Sequence, residues 1–151
     1  MNLYFKPAQS DDLDVLMTYM EDFHNFNHTE PFDRAAARVA MEMVVVNASI
    51  GRVWLIQHNQ ETAGYAVKTI SYRLEYIGDY AFLDELYIRP EYRRQGIGSA
   101  TIAFIKQTYQ ALNIGPLQLE VKNDNPGALA LYQKLNFKSQ GRQVLCLSTQ
   151  Q

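Results

Sequence analysis

The order of strand, basic glycine loop and helix between residues 82 and 112 constrains the fold more than any other feature of this chain. An apolar run at 82–88 leads into the loop, and an apolar run with helical spacing at 99–112 follows it. This pattern predicts a strand that turns within a few residues into a helix. Such a turn directs backbone N–H groups and a helix N-terminus at one spot, where an anion is stabilised.

The residues of this loop suit a diphosphate. Gly96 and Gly98 carry no side chains, so a bulky polyphosphate can come close to the backbone, and Arg93 and Arg94 add positive charge. The dinucleotide pattern G-x-G-x-x-G is absent because Thr101 stands where its third glycine is required, and Gly-Lys-Ser/Thr is absent as well. The loop therefore predicts a diphosphate site of another kind.

Length and charge narrow the class of protein. A chain of 151 residues predicts one domain spanning 1–151, and a net charge of −2 argues against a nucleic-acid partner. No apolar run approaches the ~18 residues of a membrane span, and the first residues lack the pattern of a signal peptide. We expect a cytoplasmic protein with no membrane partner.

The remaining periodicity predicts a mixed α/β fold with one central sheet. We expect strands at 2–6, 53–56, 62–72, 81–88, 116–121 and 144–147, and helices at 13–23, 33–47, 99–112 and 125–135, with a loop at 24–32. Asp33 and Asn125 are candidate helix caps, and Asn136 is a candidate left-handed helix end. Cys146 is the only cysteine and lies in an apolar run, so we expect a buried thiol.

Two motifs resemble those of the GNAT family of N-acetyltransferases. The first is Arg93-x-x-Gly96-x-Gly98 after a strand that contains acidic residues. The second is Asn-x-x-Ala-x-x-Leu-Tyr-x-x-x-Gly-Phe, which appears here at 125–137 with Asn136 in place of the glycine. Because Asn tolerates the left-handed conformation, we expect that turn to survive. The resemblance covers residues 52 to 138.

The resemblance implies a fold and a cofactor. The fold is a single central, mostly antiparallel sheet with a splayed parallel pair and helices on both faces, and the cofactor is acetyl-coenzyme A. It implies a pyrophosphate contact by the loop residues Arg93, Arg94, Gln95, Gly96, Ile97, Gly98 and Ser99. It further implies that the pantetheine arm lies along the backbone of Leu86, Tyr87 and Ile88 as a pseudo-strand.

Acetyl transfer to an amine needs a group that removes the amine's proton. The acidic candidates are Asp84, Glu85 and Glu120, and strand alternation does not decide which face meets the cleft. The resemblance favours Glu85, with Glu120 second. It also implies that Tyr132 donates a proton to the departing thiolate, and that Asn125 contacts the cofactor arm or caps its helix.

The acceptor pocket is expected in the N-terminal third and in the hairpin before residue 81. The candidates are Phe26, His28, Phe32, Tyr72 and Glu75. Although histidines 24 and 28 have a helical spacing of four, no third ligand pattern accompanies them, so we expect no bound metal.

These residues predict an N-acetyltransferase that moves an acetyl group from acetyl-coenzyme A to a primary amine, on a small molecule, by direct attack in a ternary complex. One alternative is a non-catalytic sensor of acyl-coenzyme A, and another is acetylation of a protein or peptide amine. A third is an enzyme that uses the loop for another phosphorylated ligand. The apolar hairpin and C-terminal segment also allow a homodimer.

Overall fold

The computed structural model describes residues 1–111 and 115–150, and a five-stranded sheet forms its centre. The strands follow one another in chain order: β1 Leu3–Pro7, β2 Gly51–His58, β3 Glu61–Arg73, β4 Gly78–Ile88 and β5 Leu117–Gln118. Neighbouring strands are antiparallel except β4 and β5, which are parallel. This confirms the predicted mostly antiparallel sheet with one parallel pair.

Three helices accompany the sheet, and a fourth follows it. They are α1 Leu13–Asn27, α2 Arg34–Val46, α3 Ile97–Gln110 and α4 Pro126–Lys134. The chain forms two compact units, Met1–Glu120 and Val121–Gln151, so that α4 belongs to the second unit. In the described part of the chain, no helix is long and apolar enough to cross a membrane.

Alternating residues of β2 show how the helices cover both faces of the sheet. Val53 and Leu55 belong to the buried cluster that contains Leu13 of α1 and Met41 of α2. Trp54 between them packs edge-on against Phe104 of α3, with ring centroids 5.5 Å apart. We call these sides the α1 face and the α3 face, and their alternation follows the two-residue period of a strand.

A bulge interrupts the pairing of β3 and β4. Val67 lies opposite Glu85, but Lys68 lies opposite Leu83, so Asp84 is an extra residue on β4. Strict alternation predicts that Leu83 shares a face with Glu85, and this is wrong. Because directly paired residues share a face, Leu83 follows Lys68 to the α3 face and Glu85 follows Val67 to the α1 face.

Two predicted helix limits differ from the structure. The loop expected at 24–32 begins only at His28, because α1 continues to Asn27, whose side-chain amide donates to the Phe23 carbonyl at 2.9 Å. Helix α3 begins at Ile97, two residues before the expected start, because left-handed Gly96 serves as its N-cap. The expected end of that helix at Leu112 lies outside the described residues.

The C-terminal predictions at 144–147 are wrong. Residues 138–150 form no strand or helix, and Val144, Leu145 and Leu147 are exposed. Cys146 is also exposed rather than buried. An apolar run becomes a strand only when a neighbouring strand pairs with it, and no pairing of this segment occurs within residues 1–111 and 115–150. Strand β5 is likewise shorter than the expected 116–121.

Candidate active site

The loop of residues 93–99, here called the glycine loop, turns the end of β4 into α3. Arg94 and Gly96 both have left-handed backbones, with φ of 61° and 79°. A glycine adopts this conformation without cost, whereas a non-glycine residue such as Arg94 holds it only under constraint from its surroundings. Left-handed residues in such a turn bring successive N–H groups to one concave side, which is a common anion-binding arrangement.

The N–H groups of the glycine loop from Arg94 onward are available to a ligand, whereas that of Arg93 bonds to the Pro90 carbonyl at 3.2 Å. Within the described residues, no hydrogen bond is formed by the backbone N–H of any residue from Arg94 to Ser99. The first bond of α3 joins the Ala100 N–H to the Gly96 carbonyl at 3.0 Å, and no side chain caps the helix. Ile97, which is 2% exposed, anchors the helix start in the core. Unpaired donors at a helix start favour an anion.

The two arginines of the loop have different surroundings. Arg93 donates from Nε to the Ile88 carbonyl at 2.8 Å, and its guanidinium lies 5.6 Å from the ring of Phe26 and 5.8 Å from that of Tyr87. Arg94 is exposed and forms no ion pair within the described part of the chain. The side chain of Arg94 is therefore free to turn toward an anionic ligand, whereas that of Arg93 would first have to leave its present contacts.

The turn before the glycine loop is tied to the β2–β3 hairpin. Arg89 donates from its backbone N–H to the Ala63 carbonyl at 2.8 Å and from Nη1 to the Thr62 carbonyl at 2.7 Å. The Tyr92 hydroxyl donates to the Glu61 carboxylate. The sequence did not predict these hydrogen bonds, because Arg89 and Tyr92 look like ordinary residues of a loop and their partners are distant in the chain. They hold the start of the loop against the sheet.

The edge of β4 is open beyond its first residues. Strand β5 pairs only at Ala81 and Phe82, so the strand from Leu83 onward has no β5 partner. Because the Arg89 N–H bonds to β3, alternation directs the backbone groups of Leu86 and Ile88 toward the open side. The polar groups of Tyr87, between them, face β3. An extended ligand with amide groups can pair with such an edge.

Glu85 is the half-buried acid of this strand, and it has a defined partner. The hydroxyl of Tyr65 donates to its Oε1 at 2.8 Å. Burial raises the pKa of Glu85, while the bond from Tyr65 and the nearby charge of His24 act to lower it. A carboxylate in this balance can accept and release a proton at moderate pH. Neighbouring Asp84 is exposed.

The other acidic candidate, Glu120, has a different setting. It is exposed and is the last residue of the first compact unit. The sequence pattern predicts it within a strand at 116–121, but β5 ends at Gln118.

The acceptor candidates fall into two groups. His28 and Phe32 gather around His24, with ring centroids 4.7 and 5.3 Å from its ring. His24, whose charge acts on Glu85, also bonds through Nε2 to the Glu30 carbonyl at 2.7 Å. Phe26, which is 71% exposed, lies under Arg93.

Tyr72 and Glu75 form the second group, at the far end of the β3–β4 hairpin. Tyr72 lies opposite Asp79 of β4. Asp79 is six residues from Glu85 on the same strand, so the two positions are about 20 Å apart. The structure therefore does not bring these two residues to the histidine cluster. Among residues 1–111 and 115–150, no group of three or more His, Cys, Asp or Glu is placed to hold a metal ion.

In the second unit, α4 carries the other motif. The Asn125 side chain accepts from the Ala128 N–H at 3.1 Å, so it caps the helix as predicted. At the other end, Asn136 is left-handed with φ 72°, and the N–H of Phe137 bonds back to the Tyr132 carbonyl at 3.0 Å. This is a Schellman helix end with Asn in the usual glycine position.

Tyr132 is therefore held at the last turn of α4. Its ring contacts that of Phe137 with centroids 5.7 Å apart, the apolar contact that accompanies this helix end. The side chain is half-buried, and burial raises the pKa of the Tyr132 phenol. The hydroxyl consequently keeps its proton at neutral pH and remains a donor.

The sequence model of the acetyltransferase (GNAT) family matches residues 14–137. The chain belongs to this family. The match includes the glycine loop and the motif on α4, and it extends the resemblance into the N-terminal third, where the sequence motifs gave no signal.

Two curated relatives and one solved structure show how close the similarity is. The [ribosomal protein bS18]-alanine N-acetyltransferase of Escherichia coli K12 is 29% identical over 82 residues, which are 54% of this chain and 51% of that protein. The thialysine N-epsilon-acetyltransferase of Bos taurus is 35% identical over 72 residues, covering 48% of this chain and 42% of that protein. The chain spans about half the length of the curated relatives it matches.

The solved structure is an integron cassette protein from the mobile metagenome of Cole Harbour Salt Marsh. It superimposes with a TM-score of 0.83 and 28% identity, over 97% of this chain and 91% of that chain. Similarity of this extent shows that the fold is shared.

Proposed function

We propose that this protein is an N-acetyltransferase that moves an acetyl group from acetyl-coenzyme A to a primary amine of a small molecule. The proposal rests mainly on the fact that two ligand-binding features are contiguous in the chain. The open edge of β4, which bears Glu85, leads directly into the unpaired N–H groups of the glycine loop. Both compact units belong to one acetyltransferase domain in this proposal, which the family match across their boundary supports.

The residues present fit coenzyme A. Residues 94–99 supply N–H donors for the diphosphate, and the exposed guanidinium of Arg94 supplies a cation. The backbone groups of Leu86 and Ile88 on the open edge suit the amides of the pantetheine arm. When bound, acetyl-coenzyme A supplies the thioester, from which a neutral amine can take the acetyl group by direct attack.

Glu85 is the proposed proton acceptor. An alkylamine is mostly protonated at neutral pH and must lose a proton before it can attack. Glu85 faces the α1 side of the sheet, and burial shifts its pKa toward the range where a general base works well. Glu120, exposed beyond the end of β5, is the weaker candidate.

Tyr132 is the proposed donor to the leaving thiolate, the role that the family motif implies. Its phenol keeps its proton at neutral pH because burial raises its pKa. Asn125 is proposed to act mainly as the cap that starts the helix carrying Tyr132, since its side-chain oxygen is engaged by the Ala128 N–H.

The acceptor class has two candidates. The relative named for thialysine supports a small amine, which the histidine and aromatic cluster around His28 and Phe32 can receive. The relative named for the alanine of a ribosomal protein favours a peptide amine as the second candidate.

The test is an amine panel with purified protein and acetyl-coenzyme A. It contains polyamines, aminoglycosides, amino acids and peptides with N-terminal alanine, and it follows free thiol together with the mass of the amine. We expect thiol release matched by one acetyl group on one class of amine. Tight coenzyme A binding without thiol release across the panel would instead indicate a sensor, and heat of binding with nucleotides alone would indicate another cofactor.

A further inference from the structure

A hydrogen bond joins the buried tyrosine of β3, Tyr65, to the half-buried acid of β4, Glu85. Tyr65 lies on β3 opposite Tyr87, and Glu85 lies on β4 opposite Val67. Tyr65 and Glu85 are therefore diagonal neighbours on the same face of the sheet, within reach of a long side chain. The phenolic O–H donates to Oε1 at 2.8 Å.

The core fixes the position of the Tyr65 hydroxyl. Tyr65 is 0% exposed and belongs to the buried cluster with Leu16 and Met17 of α1. Its ring centroid lies 5.9 Å from that of Tyr87. A tyrosine so enclosed has little rotational freedom, so its oxygen acts as a fixed point beside the carboxylate.

The bond to Glu85 also satisfies a polar group that is otherwise costly to bury. A buried hydroxyl without a partner destabilises the folded state, and a bond to an ionised acceptor is stronger than one between neutral groups. Residues 64–67 of β3 pair in regular register with residues 85–88 of β4, and this register places both side chains on the α1 face.

We propose that Tyr65 is a positioning residue for acetyl transfer: it holds Oε1 of Glu85 and thereby orients Oε2 to accept the proton of the incoming amine. The inference rests on the proposed function, because it takes Glu85 as the proton acceptor. Tyr65 touches neither substrate in this scheme and acts only through Glu85.

The hydrogen bond from Tyr65 also affects the pH dependence of the reaction. The charged or titratable groups that act on Glu85 are Tyr65 from β3, Asp84 on its own strand and His24 from α1. Tyr65 stabilises the ionised carboxylate and opposes the effect of burial. Without the phenolic O–H, Glu85 stays protonated to higher pH, so the acidic limb of the rate profile moves to higher pH.

The first experiment compares Tyr65→Phe with the matched control Tyr109→Phe. Tyr109 is a buried tyrosine of α3 whose hydroxyl has no hydrogen-bond partner in the described part of the chain. For Tyr65→Phe we expect kcat to fall about tenfold, with KM for acetyl-coenzyme A within about twofold of wild type, and an acidic limb shifted upward. Tyr109→Phe should retain the wild-type rate and pH profile.

A second measurement does not depend on turnover. In protein labelled with ¹³C at tyrosine Cζ and at glutamate Cδ, the Tyr65 and Glu85 resonances should titrate together in the wild type. In Tyr65→Phe the Glu85 midpoint should move upward. If Tyr65→Phe does not fold, the wild-type titration alone decides, and independent titration of the two resonances would overturn the proposal.

Glu85→Gln separates this inference from the proposed function. If Glu85→Gln is as active as wild type, the assignment of Glu85 as proton acceptor fails, and the role of Tyr65 fails with it. If Glu85→Gln is slow but Tyr65→Phe keeps the wild-type rate and acidic limb, only the positioning role is overturned. Because Tyr65 acts through Glu85, adding Tyr65→Phe to Glu85→Gln should change kcat less than about twofold.

Discussion

Two ionisable side chains are enclosed on opposite faces of the same strand pair. Glu85 of β4 lies on the α1 face and accepts a hydrogen bond from Tyr65. Lys68 of β3 lies on the α3 face, 4% exposed, with Nζ 4.1 Å from the ring centroid of Tyr109 and 5.6 Å from that of Trp54. Lys68 directly follows Val67, which pairs with Glu85, so the alternation of strand β3 places the two groups on opposite faces.

The difference between these two groups shows that two enclosed ionisable side chains can have different surroundings. Burial raises the pKa of Glu85 and lowers the pKa of Lys68 to about 8, so desolvation perturbs both. Only Glu85 has a directed hydrogen-bond partner and an open strand edge beside it. Lys68 has aromatic faces, which attract the ammonium but offer it no acceptor.

The largest expected effect comes from Glu85→Gln, which removes the acid from the α1 face. We expect kcat to fall about 100-fold while the Kd of coenzyme A changes little, because a general base contributes on this scale and the glycine loop is untouched. The acidic limb of the pH–rate profile should disappear. Steady-state kinetics across pH, with coenzyme A calorimetry as control, measures both quantities. If the variant were slow but kept the wild-type acidic limb, that limb would belong to another group. The contrast drawn between Glu85 and Lys68 would then be wrong.

Tyr132→Phe is expected to have the next largest effect. Loss of the phenolic proton should lower kcat about tenfold and leave coenzyme A binding within about twofold, because a thiolate is already a fair leaving group. The same thiol-release assay measures it. An unchanged rate would remove Tyr132 from the mechanism and leave Glu85 as the one titratable side chain of the scheme.

Lys68→Met tests the α3 face and should change stability rather than turnover. With a pKa of about 8 in the folded protein and 10.5 when unfolded, Lys68 costs folding free energy while it is charged, below pH 8. Between pH 8 and 10.5 Lys68 is protonated in the unfolded chain but mostly neutral in the folded protein. The free energy of unfolding of the wild type therefore rises with pH over this range. We therefore expect the variant to be more stable by about 1 kcal/mol at pH 7, with the gap closing toward pH 10.

Denaturant unfolding of wild type and Lys68→Met at several pH values measures this gap, and kcat should stay within about twofold. A loss of turnover in Lys68→Met with full stability would show that the α3 face also serves catalysis. The functional contrast between Glu85 and Lys68 would then be wrong.

The sequence was sufficient to predict the features that depend on local chemistry. Asp33 and Asn125 accept from the N–H groups of Ala36 and Ala128, because short polar side chains before a helical run satisfy its free donors. Asn136 takes the left-handed helix end as expected. The glycine loop also follows β4 as predicted, since its signal lies in contiguous residues.

Features that depend on partners distant in sequence escaped prediction. The bulge at Asp84 leaves no trace in the alternation of apolar residues, so strict alternation wrongly placed Leu83 and Glu85 on the same face. The sequence around Lys68 gave no sign of the aromatic rings from β2 and α3 that enclose its side chain. Cys146 looked buried because its neighbours are apolar, yet burial requires an element to pack against.

The central claim, that the glycine loop holds the diphosphate of coenzyme A by its backbone N–H groups, is tested most directly by calorimetry. Coenzyme A is titrated into wild type, Gly96→Val and the control Gly141→Val, which places the same strain on another left-handed glycine, φ 66°, in the tail. We predict that wild type and Gly141→Val bind coenzyme A equally and that Gly96→Val binds at least about tenfold more weakly. Absence of binding by wild type, or equal affinity for Gly96→Val, would contradict the claim.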